Sequence, residues 1–190
     1  MSAQERIQSS LIRRVVIGAI IFLVVLLVGI SAARAAEIVP SIGITRATDG
    51  SGDPKTFYGV AVRGSLVPMV KDEIAVGYRS EEYFNGDLKV TMVPVTASVW
   101  LAPVPFLYAG GGMGLYATSL KYRDALLIPT TTDQSFGVHL GAGLNMPIAP
   151  MISVDLNSRY VFMRERASQL SQSKFDPDYW STSVGLAIKF

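Results

Sequence analysis

The sequence predicts an all-β chain, an eight-stranded antiparallel up-and-down transmembrane β-barrel preceded by a signal peptide. Three observations predict it. Strand-length segments after residue 36 alternate between apolar and polar or small residues with period two. Short proline-containing turns alternate with longer polar stretches along the chain. The face opposite the apolar one is rich in glycine and small residues and sparse in charge, which suits the crowded inside of a narrow barrel.

The bulk composition agrees. At 190 residues the chain has the length of one domain. Apolar residues make up 49% of it, and the mean hydropathy of +0.35 is high for a soluble globule. It has no cysteine, which excludes a disulfide framework, a thiol nucleophile and any Cys-ligated metal.

Residues 1–35 read as a signal peptide and residues 36–190 as the barrel domain. Arg6, Arg13 and Arg14 form a basic start, Val15 to Ile30 is an uncharged apolar run, and Ala33-Arg34-Ala35 is a cleavage site of the A-x-A type. The run of 16 residues is a little short for a membrane-spanning helix of ~20. The alternative is a retained inner-membrane anchor. Without residues 1–35, which hold four of the 17 Lys/Arg and one of the 15 Asp/Glu, the chain carries a net charge of −1. No basic domain remains to suggest nucleic acid as a partner.

The strands follow in order at 38–46, 56–66, 69–80, 87–101, 106–118, 135–146, 151–163 and 179–190. Polar segments at 47–55, 81–86, 119–134 and 164–178 separate alternate pairs. Short turns lie at Leu66-Val67-Pro68, Pro103-Val104-Pro105 and Pro147-Ile148-Ala149-Pro150. In the fourth strand Pro94 removes a ladder donor, and the apolar phase slips near Val93, so a bulge or a later strand start is expected there. The fifth carries Gly110, Gly112 and Gly114; no helix follows, so the series is not a phosphate loop, and it relieves crowding inside the barrel. The sixth sets Phe136, Val138, Leu140, Ala142 and Leu144 against Gly137, His139, Gly141, Gly143 and Asn145. The seventh sets Ile152, Val154, Leu156, Tyr160 and Phe162 against Ser153, Asp155, Asn157 and Arg159. The eighth sets Trp180, Val184, Leu186, Ile188 and Phe190 against Ser181, Ser183, Gly185, Ala187 and Lys189. An even strand count puts both ends of the barrel on the side of the short turns. In lipid an open sheet edge is not tolerated, so the sheet must close.

The last strand resembles the C-terminal β-signal of outer-membrane proteins, matched by Ser183, Gly185, Ile188 and Phe190. That resemblance implies recognition by the barrel-assembly machinery. The stretches from Pro105 to Gly114, Phe136 to Leu144 and Ser153 to Phe162 resemble the small eight-stranded OmpA/OmpW-like barrel families. The resemblance implies a bacterial outer-membrane location, contact with outer-membrane lipid, and an envelope-structural role or passage of a small apolar solute. The chain stops at its last strand, so the periplasmic peptidoglycan-binding domain of full-length OmpA-type proteins is not expected.

Chemistry-bearing residues are few. Asp155, Arg63, Arg79, Arg159 and Lys189 are predicted to face the lumen, where Asp155 should pair with one or more of the cations because an unpaired buried charge is costly. With few other acids in view, this lumen charge network would hold more cations than anions. It should plug the barrel, since eight strands leave room only for side chains or one small ligand; the sharper reading is a narrow ion path or gate. Trp100, Tyr108, Tyr160, Phe162, Tyr179 and Trp180 lie near strand ends and are candidates for interfacial girdles. His139 falls on the lumen face. Barrel enzymes that deacylate lipid A carry a His-x-Ser pair facing lipid, and His139-Leu140-Gly141 lacks the serine. No catalytic set, metal cluster or cofactor motif stands out, so a non-enzymatic membrane barrel without cofactors is expected. The alternatives are a lipid A-modifying barrel enzyme, or a soluble periplasmic lipocalin-like binding barrel with its apolar residues turned inward.

Overall fold

A computed structural model describes residues 36–48, 54–83, 88–122, 131–163 and 178–190. The expected signal peptide, residues 1–35, lies outside the described residues. Eight strands are formed: β1 (Glu37–Ala47), β2 (Lys55–Val67), β3 (Val70–Tyr83), β4 (Leu88–Val104), β5 (Leu107–Tyr122), β6 (Thr131–Ala149), β7 (Ile152–Met163) and β8 (Tyr179–Lys189). Each pairs antiparallel with its sequence neighbour, and β1 pairs with β8 to close the barrel.

The alternation read from the sequence sets which face of each strand points out. Ile42, Val60, Val76, Val99, Met113, Leu140, Leu156 and Leu186 are all exposed on the outer surface, with Leu140 at 62%. This is the reverse of a soluble binding barrel, which would bury these residues around a cavity; the lipocalin-like alternative is excluded by the direction of the side chains. The inside holds the other parity: Val39, Ala61, Met92, Trp100, Tyr108, Tyr116, Val161, Tyr179 and Ala187 are buried there beside polar groups.

Three of the six aromatic residues expected at the interfaces are therefore inside. Trp100 shares the parity of buried Ser98, and Tyr108 and Tyr179 are likewise buried, whereas Trp180 and Phe162 face outward. Glycines make room for the inward rings. A Cβ at Gly143 would meet the Tyr108 ring, and one at Gly77 would lie 2.9 Å from the Pro94 ring. Gly and bulky aromatics thus alternate around the lumen wall, as a tapering small barrel requires.

Pro94 does not break β4. Val76 pairs with Val95 and Arg79 with Met92 in one unbroken register, and only the two intervening pairs are missing on the β3 side. On the β5 side Pro94 pairs with Tyr116 without interruption. The expected bulge, phase slip and later strand start are therefore absent: a single lost N–H weakens one ladder locally, and the flanking pairs keep the register. The irregularities lie elsewhere, beside the short turns. Register shifts occur between Ser65 and Val67, Leu101 and Val104, and Pro147 and Ala149. Pro103 and Pro147 sit at these shifts inside strands rather than in turns, since a bulge tolerates a residue without a donor. The turns themselves are Pro68-Met69, Pro105-Phe106 and Pro150-Met151. Met69 has φ of 68°, so a proline followed by a left-handed residue reverses the chain as in a type II turn.

Strands also continue into segments expected as loops. β3 runs to Tyr83, β5 to Tyr122, and β6 begins at Thr131, with Leu120 paired to Thr131. Backbone pairing propagates along a hairpin whatever the side chains, so polar composition alone understates strand length.

Candidate functional site: the lumen charge cluster

The centre of the lumen is a set of ionised side chains drawn from both walls. On one wall the register sets Glu37 opposite Arg63 and Arg63 opposite Glu73, a row across β1, β2 and β3. On the other wall Asp155, Asn157 and Arg159 alternate along β7 and face inward with it. Arg63 reaches across to Asp155 with two bonds, Nη1 to Oδ2 at 2.6 Å and Nη2 to Oδ1 at 3.0 Å. Its Nε donates to Glu73 at 2.5 Å. The other Glu73 oxygen accepts from Arg159 Nη2 at 2.7 Å. β3 and β7 stand four strands apart in either direction around the closed sheet, so this last pair spans the barrel's diameter.

Neutral groups complete the cluster. Tyr108 donates to Asp155 at 2.9 Å and accepts from Asn157 Nδ2 at 3.0 Å. Asn145 Nδ2 donates to Asp155 at 3.3 Å, and Arg159 Nε donates to Asn157 at 2.6 Å. The two guanidinium groups also lie over rings, Arg63 over Tyr108 at 4.9 Å and Arg159 over Trp100 at 5.0 Å, a favourable placement for a desolvated cation. The Glu73 side chain is 0% exposed and those of Arg63 and Asp155 are 3%. Such burial is tolerable only because each charge is both paired and hydrogen-bonded.

Of the five residues predicted for this network, the structure brings together Arg63, Asp155 and Arg159. Arg79 stands apart: it donates to Thr45 Oγ1 at 3.2 Å and lies over the Tyr179 ring at 4.8 Å. Lys189 is exposed at the end of β8, outside the cluster, because it lies where the strand leaves the lumen. The expected surplus of cations is not found in the cluster. Glu37 accepts from Lys71 at 3.2 Å and lies 3.7 Å from Arg63, so Glu37, Glu73 and Asp155 face Arg63, Arg159 and Lys71. Glu73 and Lys71 share the parity of Arg79 on β3, and that phase was the signal that could have revealed them. Glu37 lies one residue before the predicted start of its strand.

Two further features border the cluster. His139 is buried at 1% exposure, and its Nε2 lies 2.9 Å from Ser98 Oγ, while Nδ1 has no hydrogen-bond partner. A cavity of about 60 Å³ lies between Arg159, His139, Tyr116, Tyr179 and Phe57. On β8, Ser183 and Gly185 face the lumen while Ile188 faces outward at 43% exposure, and Phe190, just past the strand, is 65% exposed. The Phe190 backbone N–H donates to Ala36 at 3.2 Å, tying the two ends of the barrel together.

The chain matches the family model described as outer membrane protein beta-barrel domain over residues 20–190. No curated protein sequence matches it. Among solved structures it is similar to Neisserial surface protein A, at 12% identity and a TM-score of 0.59, covering 82% of this chain and 96% of that one. It is also similar to Ail, the attachment invasion locus protein of Yersinia pestis, at 13% identity and a TM-score of 0.56, covering 83% and 99%. OprG from Pseudomonas aeruginosa matches at 12% identity with a TM-score of 0.56, covering 83% and 96%. At these identities the likeness establishes the fold, and the family match adds the location. A closed eight-stranded sheet with an apolar outer surface, matched over nearly its whole length, places this chain in the bacterial outer membrane as a member of the outer membrane protein β-barrel domain family.

Proposed function

We propose that the protein is a non-enzymatic, envelope-structural barrel whose lumen is plugged by the charge cluster and whose longer loops face the exterior. The observation that carries this reading is the Glu73–Arg159 pair, which crosses the diameter of the lumen at 2.7 Å. Arg63 and Asp155 add two further buried, mutually bonded side chains at the same level, which supports a lumen filled by side chains. The 60 Å³ cavity above it has room for a few waters and is far below the ~300 Å³ of a small-molecule site. A solute route through the lumen is correspondingly disfavoured, and contact with the surrounding lipid and through the loops is the supported role.

The Ser98–His139 pair does not argue for catalysis. It faces the lumen rather than the lipid, it is buried, and no carboxylate orients Nδ1. β8, with Ser183, Gly185 and Ile188, together with Phe190 just after it, is the segment that the barrel-assembly machinery would recognise during insertion.

Planar-bilayer recordings test the plug. The purified protein should add no stepwise conductance to the bilayer, and the Glu73→Ala/Arg159→Ala double variant should show discrete openings. Stable open channels in the unaltered protein would overturn the plugged reading and favour the ion path.

A further inference from the structure

We infer that the seam where β1 meets β8 carries a binding site for a membrane lipid with an anionic, phosphate-bearing headgroup. The outer surface there has a groove of about 450 Å³ lined by Ile44, Arg46, Ala47, Thr48, Trp180 and Thr182. It lies at the end of the barrel away from the proline turns, near the last residues of β1 and the first of β8. Arg46 pairs with Trp180 across the seam, and Ile44 pairs with Thr182.

The groove has two chemistries in the right order for a lipid. Ile44 is 53% exposed and Trp180 is 50% exposed, offering an apolar wall to an acyl chain. Trp180 is also held in an outward aromatic stack, edge-on to Tyr160 at 4.9 Å, and Tyr160 contacts Phe162 at 4.4 Å. Rings of this kind settle at the depth of lipid headgroups. Arg46 is exposed on the same face, one strand position further toward the loops than Thr45, which is buried in the lumen. A guanidinium on the lipid side of a barrel finds water scarce and a planar, bidentate partner in phosphate.

The position gives the site a consequence. The β1–β8 ladder is the one pairing in the barrel between strands that are not neighbours in sequence, and pairing skips from Ile38–Ile188 to Ser41–Gly185 around Pro40. A lipid held by Arg46 from β1 and Trp180 from β8 bridges this seam from outside and opposes its opening.

The test is thermal unfolding of the full chain in detergent, read as loss of the compact band on an unboiled gel. Added lipid A should raise the midpoint by several degrees through preferential binding to the folded barrel, and phosphatidylcholine should not. The Arg46→Ala variant should lose that shift, and Arg46→Lys should retain part of it. Folding of each variant is checked by the same band before heating. An equal lipid A shift in Arg46→Ala would overturn the site. A shift of the same size with inorganic phosphate would make it a free-anion site and overturn the lipid assignment.

Discussion

Glu73 illustrates how one side chain can hold two walls of a barrel together. Its two oxygens take one arginine each, Arg63 from the neighbouring strand and Arg159 from the far side. Removing the carboxylate leaves Arg63 buried and Arg159 half-buried, with Asp155 and Asn157 as their remaining partners. Breaking a buried pair from one side costs about 3–5 kcal/mol. Glu73→Ala is therefore expected to lower stability by that order in urea unfolding from lipid vesicles. The exposed Lys189 provides the contrast: Lys189→Ala should change stability by less than about 0.5 kcal/mol. Equal losses at the two positions would mean that the cluster is no more than a solvated set of charges. The residue scale is also where the sequence was least informative. Arg63, Asp155 and Arg159 could be placed in the lumen by parity, but nothing in their spacing says that they touch.

Within an element the alternation is the governing fact, and β6 shows it best. Phe136, Val138, Leu140 and Leu144 are outward and exposed, while Gly137, His139, Gly143 and Asn145 are buried. Leu140 lies at the middle of the strand, so its side chain meets the hydrocarbon core. Leu140→Arg should destabilise the barrel by about 2–4 kcal/mol, as a charge does near the midplane, in the same unfolding measurement. The same substitution at Phe106, in a turn and 55% exposed, should be nearly neutral. Comparable costs at both sites would contradict the assignment of the apolar belt. Strand limits are less legible in the sequence than strand faces. β5 and β6 continue past the apolar stretch because their backbones still pair, and side-chain pattern carries no signal for that.

For the whole molecule, closure and processing belong together. β1 begins at Glu37, immediately after the expected cleavage site, and Ala36 accepts from the Phe190 amide. A signal segment removed after Ala35 would leave the barrel with almost no leading tail. N-terminal sequencing of the outer-membrane protein is expected to begin at Ala36, and the band should change mobility on boiling because a closed barrel resists detergent until heated. A band that retains residues 1–35 in the inner-membrane fraction would support the anchor instead.

The sequence by itself determined the all-β class, the strand number and the facing of the alternating residues of β6, β7 and β8. These follow from the pleat, which sends successive side chains to opposite faces wherever a strand forms. It also determined that Asp155 and the arginines near it would share the lumen. Only the tertiary structure decided which charges meet: Glu73 is 86 positions from Arg159 and Arg63 is 92 from Asp155. Those pairs depend on the stagger between strands and on the closure of β1 against β8, which together set the height of each residue on the opposite wall. Parity is local to one strand, whereas height across a barrel is a sum over every register between the two strands.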